Sequence, residues 1–600
     1  MPLKFEDDFS FLLSTQEWRN WLQIKRVFIE NPITQKGVVL MRVVRLKVDH
    51  FRGIESCDFL FPDNTRIACF IGAGDSTKTT LFRAIEWALW PNWNINVADT
   101  DFYNGDLTKP IKIEVTVTEI PVFLLSEEKF GLYLRKNLID NTGNDEPAEG
   151  ESPCLSIQLS IGEDLEPHWS VICNRLDPKP ISTRDRQSMS FGSVGENCGR
   201  DLVWGRYSAL QKYGTAQVPI KEALLTTLRE TASHSELREL NVVSEQVLDV
   251  GRRYGVSFEG EVISRLIMNS GSISSSAALF DNNVPLRQKG TGSQRLLSMG
   301  LNINAFEDGT VLLVDEIETG LEPFRLRSLI NEFRSTHEDN GQVLMTTHSP
   351  VVVAECSVNE LLIVHSNSGR TSVFSLLDEE NIDAMQRIIR TNPESFLSKR
   401  IIVCEGKTEV GFIRALDDYL SNTDNFRMAY EGVTTANGSG SDVLTTAQKL
   451  MGCGYDVCVF MDSDREDQES EKNIACKKYD IPIYSWATGN SIEEQIFCDS
   501  CNTMLKNLLS VAIEDKGIQR IKTKLQDLSF VKIEDTIEIK STTKTQRKQL
   551  GTIAKKENWY KRIGLGQEIG NIVFSHWSEL DSKTNLKQTV DALVDWIRKK

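Results

Sequence analysis

Four short apolar stretches in this chain end in residues of the kind that bind phosphate or metal ions, and they limit the fold more than any other feature. In the first pair, TRIACFI runs into the loop GAGDSTKT (Gly72–Thr79), and Val311–Val314 is followed by Asp315 and Glu316. In the second pair, RIIVC runs into EGKTE (Glu405–Glu409), and VCVFM runs into DSD. Buried strands whose carboxyl ends carry functional loops are typical of parallel α/β sheets. We therefore predict an α/β protein with two separate sites for phosphate chemistry.

The length and composition indicate a globular protein with several domains. A chain of 600 residues exceeds what one hydrophobic core supports, so roughly two to four domains are expected. Hydrophobic residues make up 40% of the chain and charged residues 26%, which is an ordinary globular composition. The net charge of −17 argues against a surface covered by nucleic acid, although it does not exclude a local basic groove.

Neither a membrane span nor a secretory signal is predicted. No apolar run reaches about 18 residues. The N-terminal stretch MPLKFEDDFSFLLSTQEW has acids where a signal peptide would have a basic region and an apolar core. We therefore expect a cytoplasmic protein that does not bind membranes. Cys498 and Cys501 have C-x-x-C spacing but no second such pair, which favours free thiols over a zinc site.

The loop Gly72–Thr79 lies between a predicted strand and a predicted helix, as a phosphate-binding loop requires. In such loops backbone N–H groups surround the phosphates, a lysine reaches the outer phosphates and a hydroxyl holds Mg²⁺. Lys78 and Thr79 match the last two roles. Thr77 departs from the pattern, because it stands where glycine is expected and a β-branched residue is unfavourable at positive φ. The predicted nucleotide-binding residues of the loop are Gly72, Gly74, Ser76, Thr77, Lys78, Thr79 and Thr80.

Three further segments fit an ATP site. Asp315 at a strand end can hold the Mg²⁺ shell, and Glu316 can activate the attacking water. A lone Asp-Glu pair would more often be an ordinary strand end. TTHSP places His348 after another apolar strand, and KGTGSQ supplies Thr291 and Ser293. The order of these segments resembles that in ATPase heads of the SMC and RecF type, where Thr291 and Ser293 would belong to the loop that contacts the nucleotide of a partner protomer.

This resemblance implies an oligomer, because such heads work as pairs that sandwich ATP. We expect a homodimer or a larger even-numbered assembly. An ABC-type ATPase domain is predicted over residues 41–395, preceded by an extension or docking helix in residues 1–40. The long separation of Lys78 from Asp315 predicts an insertion, and good helix formers indicate a helical one at about 200–275. That insertion is a candidate dimerisation or DNA-contact arm, and the sequence does not decide between them.

The second group of acids also lies at predicted strand ends. Glu405 ends a strand and Glu409 follows one helical turn later, so both can face one point. Asp462 and Asp464 are two residues apart and lie on the same side of the chain. Carboxylates that converge in this way need cations to stay close together. The predicted ligands of Mg²⁺ or Mn²⁺ are Glu405, Glu409, Asp462, Asp464, Glu493 and Glu494, with Thr79 as a ligand of Mg²⁺ at the nucleotide site.

The two acid motifs resemble the Toprim fold of topoisomerases, bacterial primases and small nucleases. Joined to a cassette ATPase, they resemble the OLD family (overcoming lysogenisation defect), which includes nuclease subunits of Gabija-type and retron-associated phage defence. The resemblance runs from Met41 to the C-terminus and is weakest at residues 140–270 and 500–550. It implies a Toprim nuclease domain over residues 396–600 that cleaves double-stranded DNA by a two-metal mechanism.

The family also implies a late catalytic lysine. Lys561 is the first candidate, since a glycine-containing turn and an apolar helix follow it, and Lys555 and Lys556 are alternatives. All three belong to a basic segment, residues 540–562, with eight Lys or Arg against the single acid Glu557. A solvated helix face would explain such a segment, but its position after the metal motif favours contact with nucleic acid.

Together these features predict an ATP-regulated, metal-dependent DNA endonuclease or nickase of bacterial antiphage defence. Possible defence partners are a helicase, or a reverse transcriptase with its DNA–RNA hybrid. The predicted catalytic residues are Glu405, Glu409, Asp462, Asp464 and Lys561 in the nuclease and Glu316 in the ATPase. The alternatives are a repair or chromosome-organising ATPase that binds DNA without cutting it, strand passage or primer synthesis, and an ATP-gated scaffold.

Overall fold

The computed structural model of the protein describes residues 41–136, 145–147, 152–189, 191–195, 198–204, 208–210, 213, 241–269, 272–304, 311–336, 341–376, 382–464, 479–534 and 536–599. The chain forms two compact units. The first runs to Ser375 without Gly72–Gly74, and the second comprises Leu376–Lys600 together with Gly72–Gly74. The boundary between the units, after Ser375, lies 20 residues before the domain boundary that the sequence predicted after residue 395. The predicted N-terminal extension lies outside the described residues.

Strands dominate the first unit. They are β1 (Arg42–Phe51), β2 (Ile54–Leu60), β3 (Ile67–Ile71), β4 (Ile111–Thr118), β5 (Cys154–Ile161), β6 (Pro167–Ile172), β7 (Lys179–Pro180), β8 (Phe191–Val194), β9 (Val262–Asn269), β10 (Ser272–Asp281), β11 (Val284–Pro285), β12 (Val311–Val314), β13 (Gln342–Thr346), β14 (Leu361–Asn367) and β15 (Arg370–Ser375). One large sheet has the order β7-β6-β5-β4-β1-β2-β15-β14-β3-β13-β12-β8, and β9, β10 and β11 form a small one.

The large sheet has an antiparallel half and a parallel half. Strands β2, β1, β4, β5, β6 and β7 pair antiparallel. Strands β14, β3, β13, β12 and β8 pair parallel. Every residue of β3, β12 and β13 is buried, which explains why these segments are continuously apolar in sequence. The carboxyl ends of the parallel strands therefore meet at one edge, where the phosphate loop and the Asp-Glu pair begin.

The helices of the first unit are α1 (Lys78–Ala88), α2 (Thr183–Gln187), α3 (Asn241–Arg253), α4 (Thr291–Asn304), α5 (Pro323–Thr336) and α6 (Pro350–Glu355). Leu81, Phe82 and Ile85 of α1 are buried in the core of this unit. The predicted helical insertion at about 200–275 lies partly outside the described residues, which omit 214–240. Within it, Asn241–Arg253 forms α3, but the later part is wrong, because β9 and β10 pair as antiparallel strands. The local count of helix formers missed that Val262 and Ile263 begin a strand, which β-branched residues favour.

The second unit is α/β in its first part and helical afterwards. Its strands are β16 (Arg400–Cys404), β17 (Val433–Asn437), β18 (Asp456–Met461), β19 (Ile483–Ser485), β20 (Val531–Ile533) and β21 (Ile537–Ile539). Its helices are α7 (Ile382–Thr391), α8 (Lys407–Asp424), α9 (Val443–Gly452), α10 (Ile492–Asp499), α11 (Asn502–Lys516), α12 (Ile518–Leu525), α13 (Lys544–Lys556), α14 (Ile563–Ser575) and α15 (Asn585–Arg598).

A parallel sheet of order β17-β16-β18-β19 forms the centre of the second unit. Helices α8 and α14 pack closely because glycines face the opposing backbone. A Cβ on Gly411 would lie 2.2 Å from the Ile563 carbonyl oxygen, and one on Gly566 would lie 2.4 Å from that of Thr408. This close approach fixes the segment before α14 against the first turn of α8, which carries Glu409.

Candidate functional sites

The phosphate loop has the expected strand–loop–helix context, since it connects β3 to α1. Gly72 has φ of 142°, which glycine adopts readily. Helix α1 begins at Lys78, so the free N–H groups of its first turn point toward the loop, as an anion site requires. Gly74 and Thr79 are exposed, Thr80 is half-buried and Ser76 is buried. The loop thus has the local structure of a nucleotide-binding site.

Thr77 adopts the left-handed conformation that its sequence position predicted, with φ of 66° and ψ of 13°. For a β-branched residue this conformation costs on the order of 1–3 kcal/mol. Its hydroxyl donates to the Ser76 carbonyl oxygen at 2.6 Å and shares a hydrogen bond of 2.9 Å with the Thr371 hydroxyl. Thr371 belongs to β15 and is buried. The side chain of Thr77 therefore ties the strained loop to a strand of the sheet.

Lys78 is a buried cation. Its side chain is 3% exposed, and its ammonium group donates to the Ser76 hydroxyl at 3.1 Å. Burial lowers the pKa of Lys78 to about 8, although the negative charges of Asp315, Asp75 and Glu318 partly offset that effect. A triphosphate placed at the loop would restore the charged form of Lys78, because the pKa of a lysine rises beside an anion.

Asp315 lies close to the phosphate loop. Its Oδ1 accepts hydrogen bonds from the Thr79 hydroxyl at 3.4 Å and from the Thr346 hydroxyl at 2.6 Å. The Thr346 hydroxyl in turn accepts from the Glu316 N–H at 2.7 Å. Thr79 and Asp315 thus present two adjacent oxygens of the hard type that Mg²⁺ prefers. Thr346, the last residue of β13, was not predicted, and its only sequence signal is its position before Thr347 and His348.

His348 is exposed, and its backbone is held by a carboxylate that the sequence did not single out. The His348 N–H donates to Glu318 Oε1 at 2.6 Å, and the Thr347 hydroxyl donates to Glu318 Oε2 at 2.7 Å. Glu318 follows Glu316 by two residues, so the strand end carries three acids with different roles. Asp315 faces Thr79, and Glu318 positions the segment that bears His348. Glu316 is exposed.

The signature-like segment packs against the turn that follows the Asp-Glu pair. Thr291 and Ser293 lie in the first turn of α4, Thr291 exposed and Ser293 half-buried. Gly292 is required here, because a Cβ on it would lie 2.1 Å from the Gly320 carbonyl oxygen.

Arg295 of the same helix is buried, and sequence reasoning did not identify it. Its Nη2 donates to the carbonyl oxygens of Asp315 at 2.6 Å and Glu316 at 2.9 Å. The signature-like helix therefore holds the backbone of the Asp-Glu pair directly.

The acids of the second unit converge at the carboxyl ends of β16 and β18. Glu405 follows β16 and Asp462 follows β18, and these two strands are neighbours. The Asp462 N–H donates to Glu405 Oε2 at 3.0 Å, and Asp462 Oδ1 accepts from the Ile492 N–H at 2.9 Å. Burial, followed by the charges of Glu409 and Glu405, raises the pKa of Asp462 well above its usual value.

Glu409 and Glu493 complete this group. Glu409 Oε2 accepts from the Gly406 N–H at 2.9 Å, and Glu493 Oε2 accepts from the Ser491 hydroxyl at 2.9 Å. The Glu493 side chain is fully buried. Burial, and then the charge of Glu493, raises the pKa of Glu409 to about 7. We call Glu405, Glu409, Asp462 and Glu493 the acid cluster.

Asp464 and Glu494 turn toward α13 instead. Lys555 Nζ lies 2.5 Å from Asp464 Oδ2 and 3.6 Å from Glu494 Oε2. Glu494 also accepts from the Thr552 hydroxyl at 2.7 Å and the Ser491 N–H at 3.0 Å. Burial would raise the pKa of Glu494, but these hydrogen bonds and the charge of Lys555 outweigh it and lower that pKa. Glu494 therefore has the environment of a stable carboxylate, unlike Glu409.

Two of the three candidate lysines approach the acids. Lys561 Nζ lies 3.7 Å from Glu493 Oε1. Burial opposes the charge of Lys561, but the charges of Glu493, Glu409 and Asp462 outweigh it and raise its pKa. Lys555 contacts Asp464, whereas Lys556 is exposed on the last turn of α13. Lys561 is thus the lysine of the acid cluster, and Lys555 lies at its edge.

The residues of the acid cluster fit a divalent cation. Three buried carboxylates and the half-buried Glu405 lie beside one lysine, Lys561, and Glu493 Oε1 and Asp464 Oδ1 accept no hydrogen bond. Hard cations bound by carboxylate oxygens would remove the repulsion that raises the pKa values. Elsewhere, Asp164, Glu166 and His168 offer oxygen and nitrogen atoms within 4.8 Å of one another, but all three are exposed. Exposed acidic groups like these are common without a metal.

A comparison with protein-family models finds a match within the first unit. Residues 230–354 match the sequence model of a family described as "AAA domain, putative AbiEii toxin, Type IV TA system". This range holds Asp315, Glu316, His348 and the signature-like segment, while the phosphate loop lies before it. A search of curated proteins found no match.

Similar solved structures include SMC heads. An SmcHead bound to the C-winged helix domain of ScpA is 14% identical, covering 57% of this chain and 99% of that chain with a TM-score of 0.37. The head from Pyrococcus furiosus, bound to the C-terminal domain of ScpA, is 12% identical over 58% of this chain and 100% of that chain, with a TM-score of 0.37. The head from Thermotoga maritima is 13% identical over 56% and 98%, with a TM-score of 0.29.

Among the described residues, no helix is long and apolar enough to cross a membrane. The family match covers the Asp-Glu pair, and the phosphate loop lies beside that pair in the structure, with Thr79 and Asp315 in contact. The chain therefore contains an ATPase domain, and ATP is the nucleotide that the similarity to this family model implies.

Proposed function

We propose that the protein is an ATP-regulated, divalent-metal-dependent DNA endonuclease or nickase of bacterial antiphage defence. The observation that carries the proposal is the acid cluster, in which three buried carboxylates and the half-buried Glu405 meet at the carboxyl ends of two neighbouring parallel strands. Buried acids with raised pKa values beside lysines are typical of catalytic sites. The order of the strands and acids is also that of the Toprim nucleases that the sequence resembles.

Glu405, Glu409, Asp462 and Glu493 would hold Mg²⁺ or Mn²⁺, with Asp464 at the edge of the site. The bound ions would supply an activated water and stabilise the leaving oxygen of a phosphodiester. The chain itself fixes the carboxylates through backbone N–H groups of Gly406, Asp462 and Ile492. Glu494 is better explained as the anchor of α13, because both of its oxygens have partners on that side.

Lys561 would neutralise charge on the phosphodiester during cleavage. Its ammonium group faces Glu493 from a segment that the close packing of α8 and α14 holds in place. The Thr408 hydroxyl donates to the Tyr560 carbonyl oxygen at 3.1 Å and so fixes the residue before it. A lysine held beside the acids is a preorganised charge of the kind that stabilises phosphoryl transition states.

ATP bound at Lys78, Thr79 and Asp315 would control the nuclease rather than drive it. The strained Thr77 favours this role, because a loop held in one conformation by a side-chain hydrogen bond suits slow turnover and sensing. Thr291 and Ser293, which the SMC-like resemblance assigns to a partner's nucleotide, would make the regulated state a homodimer or a larger even-numbered assembly.

A role in defence is supported by the family of the ATPase segment, whose description names an AbiEii toxin and a type IV toxin–antitoxin system. A nuclease that cuts DNA in an infected cell would likewise be toxic to that cell. A partner such as a helicase, or a reverse transcriptase with its DNA–RNA hybrid, would then supply the trigger. Double-stranded DNA is the proposed substrate.

The test is cleavage of supercoiled plasmid by the purified protein in Mg²⁺, Mn²⁺ or EDTA, with and without ATP. The matched variant is Asp462→Asn, which keeps an oxygen for the Ile492 N–H but removes the charge. We expect metal-dependent nicking or linearisation that the variant has lost. Equal cleavage by the variant would reject the acid cluster as the active site. No cleavage by either protein, with ATPase activity intact, would favour a repair ATPase or scaffold that binds DNA without cutting it.

A further inference from the structure

Three lysines form one row along α13. Lys544, Lys548 and Lys555 are spaced i, i+4 and i+11, so they lie on the same face of the helix. We call them the lysine row, and at 1.5 Å per residue it extends over about 16 Å. Gly551 lies on this face too, where a Cβ would meet Glu494 Cα at 2.6 Å. The lysine row therefore runs directly beside α10, which carries Glu493.

The lysine row contacts three points, which run from the end of α10 to Asp464 beside the acid cluster. Lys544 Nζ lies 3.8 Å from Asp499 Oδ1 at the end of α10. Lys548 Nζ donates to the Gly489 carbonyl oxygen at 3.2 Å. The Gly489 N–H is bonded to the carbonyl oxygen of Ser463, which lies between Asp462 and Asp464.

The other end of the row is at the acids themselves, since Lys555 Nζ contacts Asp464 Oδ2. Two other cations of the basic segment contact residues outside the row. Arg547 donates to the Ser500 carbonyl oxygen, and Arg562 pairs with Asp515. The cations of the basic segment therefore have different surroundings, and three of them form a row along α10 whose Lys555 end lies at the edge of the acid cluster.

We propose that the lysine row binds the phosphate backbone of duplex DNA and directs one strand to the acid cluster. This inference rests on the proposed nuclease function, because the acid cluster is where the bound strand would be cut. Lysines act as point charges toward phosphates, so the contact carries no sequence information and weakens with salt. It also reconciles DNA binding with a net charge of −17, since the cations lie in one place.

The test measures binding of a fluorescein-labelled duplex of about 20 base pairs to the full-length protein in Ca²⁺ buffer, by anisotropy over a KCl series. The variant is Lys548→Glu. Its control is Lys399→Glu, an exposed lysine that precedes β16 and so lies at the opposite edge of the sheet from the acid cluster. We expect Lys548→Glu to weaken binding on the order of tenfold for every sequence and to lower the salt slope by about 1. The control should bind like the wild type.

Wild-type affinity and salt slope in Lys548→Glu would overturn the inference. If that variant does not fold, as judged by thermal melting, the more exposed Lys544 carries the same test through Lys544→Glu. Cleavage by Asp462→Asn separates the two proposals. Weakened binding in Lys548→Glu together with full cleavage by Asp462→Asn would retain the lysine row and reject the acid cluster. Normal binding together with lost cleavage would do the reverse.

Discussion

The phosphate loop and the acid cluster both bury charge, but they bury opposite charges and compensate them differently. Lys78 is a buried cation with a lowered pKa, and the nearest charges are acids that partly offset its burial. Glu409 and Asp462 are buried anions with raised pKa values, and their nearest charges are further acids that add to the effect of burial. The first site therefore favours an added anion and the second favours an added cation.

In each site the direction of the pKa shifts indicates the charge of the ligand that would stabilise it. A triphosphate would stabilise the charged form of Lys78, and divalent ions would stabilise the ionised forms of the acids. A structural ion pair would instead show mutual compensation, as Glu494 does beside Lys555. If the two sites act separately, a variant of one should lose its own activity and keep the activity of the other.

The largest expected effect is on cleavage. Asp462→Asn should lower metal-dependent cleavage by more than about 100-fold, because it removes the charge of a proposed metal ligand rather than of a residue that only orients one. ATP hydrolysis by the same variant should stay at the wild-type rate. Plasmid nicking and phosphate release, measured on one preparation, check both. A parallel loss of ATPase activity would show that the sites are not separable.

The converse variant is Lys78→Ala. It should lower ATP hydrolysis by about 100-fold, or roughly 3 kcal/mol, since the lysine of a phosphate loop reaches the outer phosphates of the nucleotide. Arg83→Ala changes an exposed cation on the same helix and should leave hydrolysis unchanged. Cleavage by Lys78→Ala in Mg²⁺ should persist but no longer respond to ATP. Cleavage that still responds to ATP in this variant would contradict the regulatory role of the loop.

The raised pKa of Glu409 predicts how stability depends on pH. The folded protein keeps this proton up to about pH 7, whereas the usual value is 4.5. Without metal, stability should therefore fall as pH rises from about 4.5 to 7, by at most about 3 kcal/mol. Thermal melting in EDTA across this range should show the fall, and Glu409→Gln should reduce it. Saturating Mg²⁺ should flatten the curve, and an unchanged slope in Glu409→Gln would assign the effect to another group.

The smallest effect concerns Thr77. Thr371→Val removes the hydrogen-bond partner of the Thr77 hydroxyl and should destabilise the protein by about 1 kcal/mol. In a Thr77→Gly background the same change should cost nothing, which gives a coupling energy of about 1 kcal/mol in a double-mutant cycle. Denaturant unfolding of the four proteins measures it. Additive effects would show that the two hydroxyls do not hold the loop together.

Sequence reasoning succeeded where chemistry lies at strand ends. The phosphate loop, Asp315, Glu405 and Asp462 all follow the strands that apolar runs predicted, because a buried parallel strand is continuously apolar. The positive φ of Thr77 was also anticipated, since the pattern requires glycine there. These features depend on residues that are close together in the chain, and so they could be predicted from the sequence.

Residues that act through distant partners could not be found in this way. Thr346, Glu318 and Arg295 contact their partners only after β12, β13 and α4 have packed together. The strands β9 and β10 were mistaken for helix because each is stabilised by pairing with the other. The β-branched Val262 and Ile263 favour a strand locally, but they do not show which segment the strand pairs with.

By itself, the sequence determined which residues can do chemistry here and on which kind of structural element each lies, because local periodicity and backbone preferences decide both. Tertiary structure decided which of those residues contact one another. It separated Glu493 from Glu494 by turning one to the acids and the other to α13, and it placed Lys561 at Glu493 and Lys555 at Asp464. Such choices depend on distances between segments far apart in the chain, and only packing sets those distances.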